Sequence, residues 1–431
     1  MSFKTDPRDY VCIYFFFTSG EAFDSNWCVE RMHRLPSRGR DRSSGSTGIG
    51  RSMEDPDAIS LFHELCARQG IQTSCSKQRT VHYSIMGEGI GSGFHLFAHA
   101  LTFAMADARI LVEDVDHFID LEIPDATSFH TYFTPPTPCP NHLRMECYLA
   151  PIHRCTKETV ITLQKERNQM SVFNIGNVMT NDNDVTFVEK ATNKIRTVRL
   201  AWYSFREAQL KHGWGSVQKW LPKQYQHRGS LWYKSQLLWW LIQPSLRVSN
   251  QVRKLQQEMK LDILDPKHDK IIVMHVRRGD KALDPIIQQQ QQQPANNFQI
   301  PLFKYVEAAR ELKAIHFSTR SPLRILLMTE DASVIEETTT SRYQDVIWYY
   351  TTGHARQTKP IKISEAIREG HMNGDDEMMH SLSNLFLSVV EGDAFVGSFS
   401  SNWSRLVFEL MIGKNRGVVV PHKSMDLAWY P

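Results

Sequence analysis

The sequence predicts an α/β protein whose C-terminal half is a Rossmann-like doubly wound parallel sheet. Three observations carry that prediction. From residue 270 onward, short apolar runs alternate with helix-length segments, the pattern of repeated βαβ units. Ile271–Met274 is apolar without alternation, as expected of a strand buried on both faces. Charge then arrives abruptly in His275, Arg277, Arg278, Asp280 and Lys281 around Gly279. In open α/β sheets, ligands bind outside the carboxyl ends of the strands.

The strands expected in this half are Ile271–Val276, Arg324–Met328, Val346–Tyr350, Ala394–Val396 and Gly417–Val420. The helices expected are Leu302–Lys313, Ala332–Glu337, Glu377–Glu391 and Trp403–Ile412. Gln288–Gln293, followed by Pro294, is a low-complexity tract and reads as a loop insertion.

The N-terminal half is less regular. Arg31–Asp57 is rich in Arg, Ser and Gly and reads as a disordered linker. Globular structure is expected from Ala58, with Leu61, Leu65 and Cys66 on one helical face. Glycines at 87, 89, 91 and 93 read as a loop before the helix Phe94–Ala108, followed by the strand Arg109–Glu113. Free N–H groups at a helix start cradle anions, although this loop lacks the lysine of a P-loop. His95 and His99 stand four apart without the acid of a zinc protease motif, and read as packing or surface residues. Residues 114–160 read as loop-rich, and Ser171–Arg199 receives no assignment. Trp214–Trp220 and Ser230–Val252 read as helical, the latter interrupted by Pro244. The run Leu237–Ile242 is apolar all round and suited to burial between lobes. Lys254–Leu264 continues as helix. The resulting division is a terminal segment and linker (1–57), a lobe at 58–267 and a nucleotide-binding lobe at 268–431.

Composition narrows the function classes. At 431 residues, 41% apolar and 23% charged, the chain can bury two or three domain cores. A net charge of +3 argues against bulk nucleic-acid binding, so any anion site is local. All seven cysteines lie within the first 155 residues, and no CxxC pair is present. That speaks against structural zinc and permits disulfides. No stretch has the roughly 18 consecutive apolar residues of a membrane helix. Val11–Phe17 is too short, so a membrane anchor would have to be missing or cryptic.

Four places in the second half bear chemistry: His275–Lys281, Thr329-Glu330-Asp331, Phe399-Ser400-Ser401-Asn402, and Asp375-Asp376-Glu377. Arginine forks match phosphate oxygens. Ser400 and Ser401 precede a helix and suit a phosphate or an ordinary N-cap. The acids at 375–377 suit a helix dipole.

With these residues in hand, the chain resembles the α-1,6-fucosyltransferase family, glycosyltransferase family 23. HVRRGDK, TED and FVGSFSSNWSRLVFELM follow that family's motifs in order. So do Cys75-Ser-Lys77-x-Arg79, Gly91-x-Gly93-x-x-Leu96, and Trp232-x-x-Ser235-Gln236 ending in Leu241-Ile242-x-Pro244. The resemblance spans roughly residues 60–430. It implies a two-lobed, GT-B-like inverting glycosyltransferase in the lumen of the Golgi or another secretory-pathway compartment. The donor would be GDP-fucose and the acceptor a glycan or glycoprotein, with no cofactor and no obligatory metal. His275 would read guanine and Arg277 would neutralise the β-phosphate. Gly91, Gly93, Ser400 and Ser401 would contact phosphate. Arg278, Asp280, Lys281, Glu330 and Asp331 would complete or brace the donor site.

Two positions depart from the family pattern. The family's general-base glutamate falls at Pro285, with Asp284 beside it as the substitute base. The guanine-contacting aspartate falls at Leu385, beside Asn384. A protein-O-fucosyltransferase-like enzyme and a catalytically inactive sugar-nucleotide- or glycan-binding homologue therefore stay open as alternatives.

Overall fold

The structure, a computed structural model, describes residues 55–70, 79–83, 90–106, 108–113, 144–155, 159, 171–173, 197–200, 221–278, 300–318, 321–352, 356, 366–367 and 369–429. Two parallel sheets organise it. The first has strands β1 (Thr80–Tyr83), β2 (Ile110–Glu113), β3 (Ser171–Phe173) and β4 (Thr197–Leu200) in the order β2-β1-β4-β3. The second has β5 (Ile271–His275), β6 (Leu323–Met328), β7 (Val346–Tyr349), β8 (Ala394–Gly397) and β9 (His422–Ser424) in the order β7-β6-β5-β8-β9. Every strand pairing is parallel. The second sheet winds outward in both directions from β5. Its order reverses between β5 and β8, and the crevice at such a switch point is where open α/β sheets hold ligands. This is the two-lobed α/β architecture expected from the sequence.

The apolar run of β5 feeds two cores. Ile271 and Val273 face a core shared with α7 (Gly374–Glu391) and α8 (Asn402–Lys414). Ile272, Met274 and Val276 face another, built on α5 (Leu302–His316) and α6 (Ala332–Thr338). A strand covered on both faces has no polar side to present, which explains the absence of alternation.

The first core continues into the N-terminal half through α1 (Pro56–Gln69), α2 (Ile90–Ala106), α3 (Gly229–Leu241) and α4 (Leu246–Glu258). Pro244 separates α3 from α4, and Ser245 caps α4 at Val248 N. α8 packs against both α3 and α2. At Gly413 a Cβ would lie 2.4 Å from that of Trp239, so only glycine permits this approach of α8 to α3.

Several local expectations change. Gly91 and Gly93 lie inside the first turn of α2 rather than in a loop before it. Residues 417–420 are not a strand: Gly417 has φ 89°, Val418 is 68% exposed, and the edge strand begins at His422. The span Ser171–Arg199, left unassigned from sequence, contributes β3 and most of β4, and α4 ends at Glu258. The linker 31–54, Trp214–Trp220 and Gln288–Gln293 lie outside the described residues.

Candidate anion site at the sheet switch point

β5 delivers His275 at its last position, and the next residues run along the sheet's carboxyl edge. His275 is buried, and its Nδ1 lies 2.6 Å from Ser404 Oγ in the first turn of α8. This ties the end of β5 to the start of α8. Burial, followed by the nearby Arg277 charge, pushes the imidazole down to about 3, so His275 is neutral at physiological pH. A neutral ring keeps one donor and one acceptor, the form suited to reading a polar edge.

The two arginines divide. Arg277 Nε lies 3.4 Å from Glu330 Oε1 just beyond β6, with side chains 24% and 16% exposed. The contact is an ion pair rather than a hydrogen bond, and it holds the guanidinium near the carboxyl end of the sheet without fixing its plane. Arg278 is buried and turned toward α6, where Nη1 donates to Glu337 Oε1 at 2.5 Å and to Ser333 Oγ at 3.3 Å. Asp331 caps the same helix, accepting from Ser333 N at 2.8 Å and Ser333 Oγ at 2.7 Å. Arg278 and Asp331 thus brace α6, while Arg277 and Glu330 meet beyond the carboxyl ends of β5 and β6.

The starts of α2 and α8 meet beside this edge. A Cβ on Gly91 would lie 2.9 Å from Trp403 N and 3.0 Å from Asn402 C, so the first turn of α2 rests directly on the backbone beginning α8. Four residues on, His95 Nε2 lies 2.7 Å from Glu409 Oε2, two turns into α8. The two helices therefore run side by side with their N-termini together. Their dipoles add positive potential at one place. Neither first turn contains an acidic residue, and Ser401, the N-cap of α8, makes no side-chain capping bond. An acid-free first turn is shared with α3, α4, α5 and α6, so what sets α2 and α8 apart is that their starts abut; two other helices carry acids. α7 opens on Asp375, Asp376 and Glu377 with an Asn373 cap, and α1 is capped by Asp55. Two convergent helix starts next to the end of β5 favour an anion.

Beneath these starts lies a buried ionic cluster absent from the sequence reading. Glu409 is 0% exposed and holds His95, Lys234 Nζ at 3.9 Å and Trp429 Nε1 at 3.0 Å. Burial alone would raise the Glu409 carboxyl, but His95, Lys234 and Arg405 bring it down to about 2. Desolvation pushes His95 down to about 4 and Lys234 to about 8. At neutral pH the core thus holds a carboxylate bonded to a neutral imidazole. Arg405, also buried, donates to Asn402 Oδ1 at the first position of α8. Helical periodicity marks His95 and Glu409 as members of buried faces, but no local pattern pairs residues so far apart in sequence.

At the far side of the edge, Leu385 is in the core and Asn384 is half-buried next to the end of β7. Asn384 Nδ2 donates to Thr351 Oγ1 at 3.4 Å and lies 2.9 Å from His380 Nε2. Ser400 bonds to Asp426, with Oγ 2.5 Å from Oδ2. Gly279, Asp280, Lys281 and Asp284 lie outside the described residues. Among the described residues, no group of three or more His, Cys, Asp or Glu is arranged to hold a metal ion.

No family model and no curated protein matches the chain. Among solved structures it is similar to a mutant of Arabidopsis thaliana FUT1 in complex with GDP. The identity is 14% over 91% of this chain and 84% of that chain, with a TM-score of 0.45. It is also similar to POFUT1 in complex with GDP-fucose, at 12% identity over 82% of this chain and 98% of that chain, with a TM-score of 0.40. The functional reading that follows rests on this chain's own residues.

Proposed function

We propose that the protein is an inverting glycosyltransferase that moves fucose from GDP-fucose to a glycan, in the manner of core α-1,6 transfer to N-glycans. One observation carries this reading: β5, which leads into His275 and Arg277, lies at the switch point of a Rossmann-order sheet, and its end is tied through Ser404 to the first turn of α8, which abuts that of α2. A nucleoside diphosphate supplies the negative charge such a place favours. The motif order of the sequence supplies fucose and guanine as the specific donor. His275 and Asn384 are assigned to the base, and Arg277, Gly91, Gly93 and Ser401 to the diphosphate; Ser400, expected there from the sequence, instead gives its hydroxyl and N–H to Asp426. Asp280 and Lys281 are assigned to the adjoining donor loop.

The reaction asks little else of the donor side. An acceptor hydroxyl attacks the anomeric carbon as its bond to the β-phosphate oxygen breaks, and negative charge grows on GDP. A guanidinium and two helix starts oppose that growing charge without reorganising. The hydroxyl proton passes to a carboxylate, for which we assign Asp284. Residues 58–267 are assigned to the acceptor-side lobe and 268–431 to the GDP-sugar-binding lobe. Cys66, Cys147 and Cys155 are disulfide-bonded, which supports an oxidising, secretory-pathway compartment such as the Golgi lumen.

The test is release of GDP from GDP-fucose in the presence of a panel of N-glycans and of folded protein acceptors. Turnover with N-glycans that is lost in Arg277→Ala supports the reading. Turnover only with protein acceptors moves the activity to O-fucosylation. GDP binding without turnover makes the chain a binding homologue. Undiminished activity in Asp284→Asn removes Asp284 as the base.

A further inference from the structure

The turn between β8 and α8, residues 398–401, carries Ser401, assigned to phosphate. Its position is set largely by another part of the chain. β9 pairs with β8 in the register Phe395↔His422 to Gly397↔Ser424, and the residues after it fold over the turn. Met425 N donates to Gly397 O at 2.9 Å. Phe399 N donates to Ser424 Oγ at 3.4 Å. Asp426 accepts from Ser400 Oγ at 2.5 Å and from Ser400 N at 3.4 Å. The same carboxylate is held by Leu427 N at 2.6 Å and Ser424 Oγ at 3.1 Å. Three residues later, Trp429 Nε1 reaches Glu409 Oε1 at 3.0 Å, deep in the ionic cluster. The segment thus grips α8 at two points, just before its first turn and two turns in.

The grip holds the residues just before the N-cap, and Ser401 itself makes no side-chain capping bond. Its charge has the wrong sign to attract a phosphate: a carboxylate beside an anion site repels the ligand. What Asp426 contributes to such a site is therefore geometric. We propose that Ser424–Trp429 is a strap that positions the start of α8 for a diphosphate, with Asp426 and Trp429 as its positioning residues. The inference rests on the donor-site reading above and extends it to a segment that touches no substrate.

Titration calorimetry on the full chain tests it, with inorganic pyrophosphate, GDP and guanosine as probes and melting temperature recorded for each variant. Asp426→Ala and Trp429→Phe are each expected to weaken pyrophosphate and GDP roughly five- to tenfold, within the range of one ordinary net hydrogen bond. Guanosine affinity stays unchanged, and Asp426→Asn, which keeps an acceptor, recovers most of the loss. Tighter GDP binding by Asp426→Ala overturns the proposal, because the carboxylate is then a competitor. An unchanged ratio of GDP to guanosine affinity in both variants also overturns it, since a purely structural brace would not distinguish the two ligands. Should Asp426→Ala not fold, Trp429→Phe reads the same ratio. A wild-type protein that binds pyrophosphate but binds GDP no more tightly keeps the strap and loses the nucleotide reading. One that binds neither ends both.

Discussion

Arg277 and Arg278 are neighbours with separate tasks. Arg277→Ala is expected to leave the melting temperature nearly unchanged while GDP affinity and turnover collapse. Glu337→Ala should do the reverse. It strips the partner from buried Arg278 and costs about 1–3 kcal/mol of stability, seen as a lower denaturant midpoint, with GDP affinity within a few-fold of wild type. If Glu337→Ala abolished GDP binding and left stability intact, the division would be wrong. The pair of arginines was legible in the sequence because an apolar strand ran straight into it. The direction of each was set by Glu330 and Glu337, which lie more than fifty residues away. Gly91 tests the neighbouring contact. Gly91→Ala forces a methyl against the Trp403 backbone and, at the roughly 1–3 kcal/mol typical of overpacking, should lower both stability and GDP affinity. A variant with wild-type values of both would show that the helix starts do not abut.

At the scale of elements, α8 is the piece on which both halves converge. It packs on α2 and α3, is tied to β5 through Ser404, and buries Glu409 among His95, Lys234 and Trp429. Glu409→Gln leaves Lys234 and Arg405 uncompensated in the core and should cost about 3–5 kcal/mol. Adding Lys234→Met removes one of those charges and should recover part of the loss, a coupling that thermal denaturation of the four-member cycle measures. Additive effects would contradict the cluster. Sequence periodicity found α8, α7, α5 and the central strands because each is long or buried on both faces. It missed β3 and β4, short strands inside a polar, Asn- and Thr-rich span. It also placed the last strand too early. Gly417-Val-Val-Val420 has strand composition, but the positive φ at Gly417 turns the chain, and pairing with β8 begins only after Pro421. Asp375 was legible as a helix-start acid. Its bidentate hold on Arg247, at 2.8 and 2.7 Å, and its bond to Tyr148 were not, because they join α7 to α4 and to the 3-10 turn Arg144–Cys147.

For the whole molecule, the buried histidines set the acid response. Desolvation holds His95 down to about 4 and His275 to about 3, and His99 is also well below 6.5. The unfolded chain takes up these protons near 6.5 and the folded chain does not, so stability rises with pH across this range. It should fall as pH drops from about 6.5 toward 4, within the range spanned by these shifts. The depressed Glu409 carboxyl adds its loss only below its ordinary value of 4.5, toward 2. A melting temperature that is flat between pH 7 and 4.5 would contradict this, and His95→Gln should reduce the slope. Binding of a GDP-sugar in the switch-point crevice and transfer of its sugar, as proposed, can be read directly from GDP release from GDP-fucose with an N-glycan acceptor, wild type against Arg277→Ala. Acceptor-dependent release by the wild type and none by the variant is expected. Equal release by both proteins, or none from the wild type with any acceptor, would contradict it.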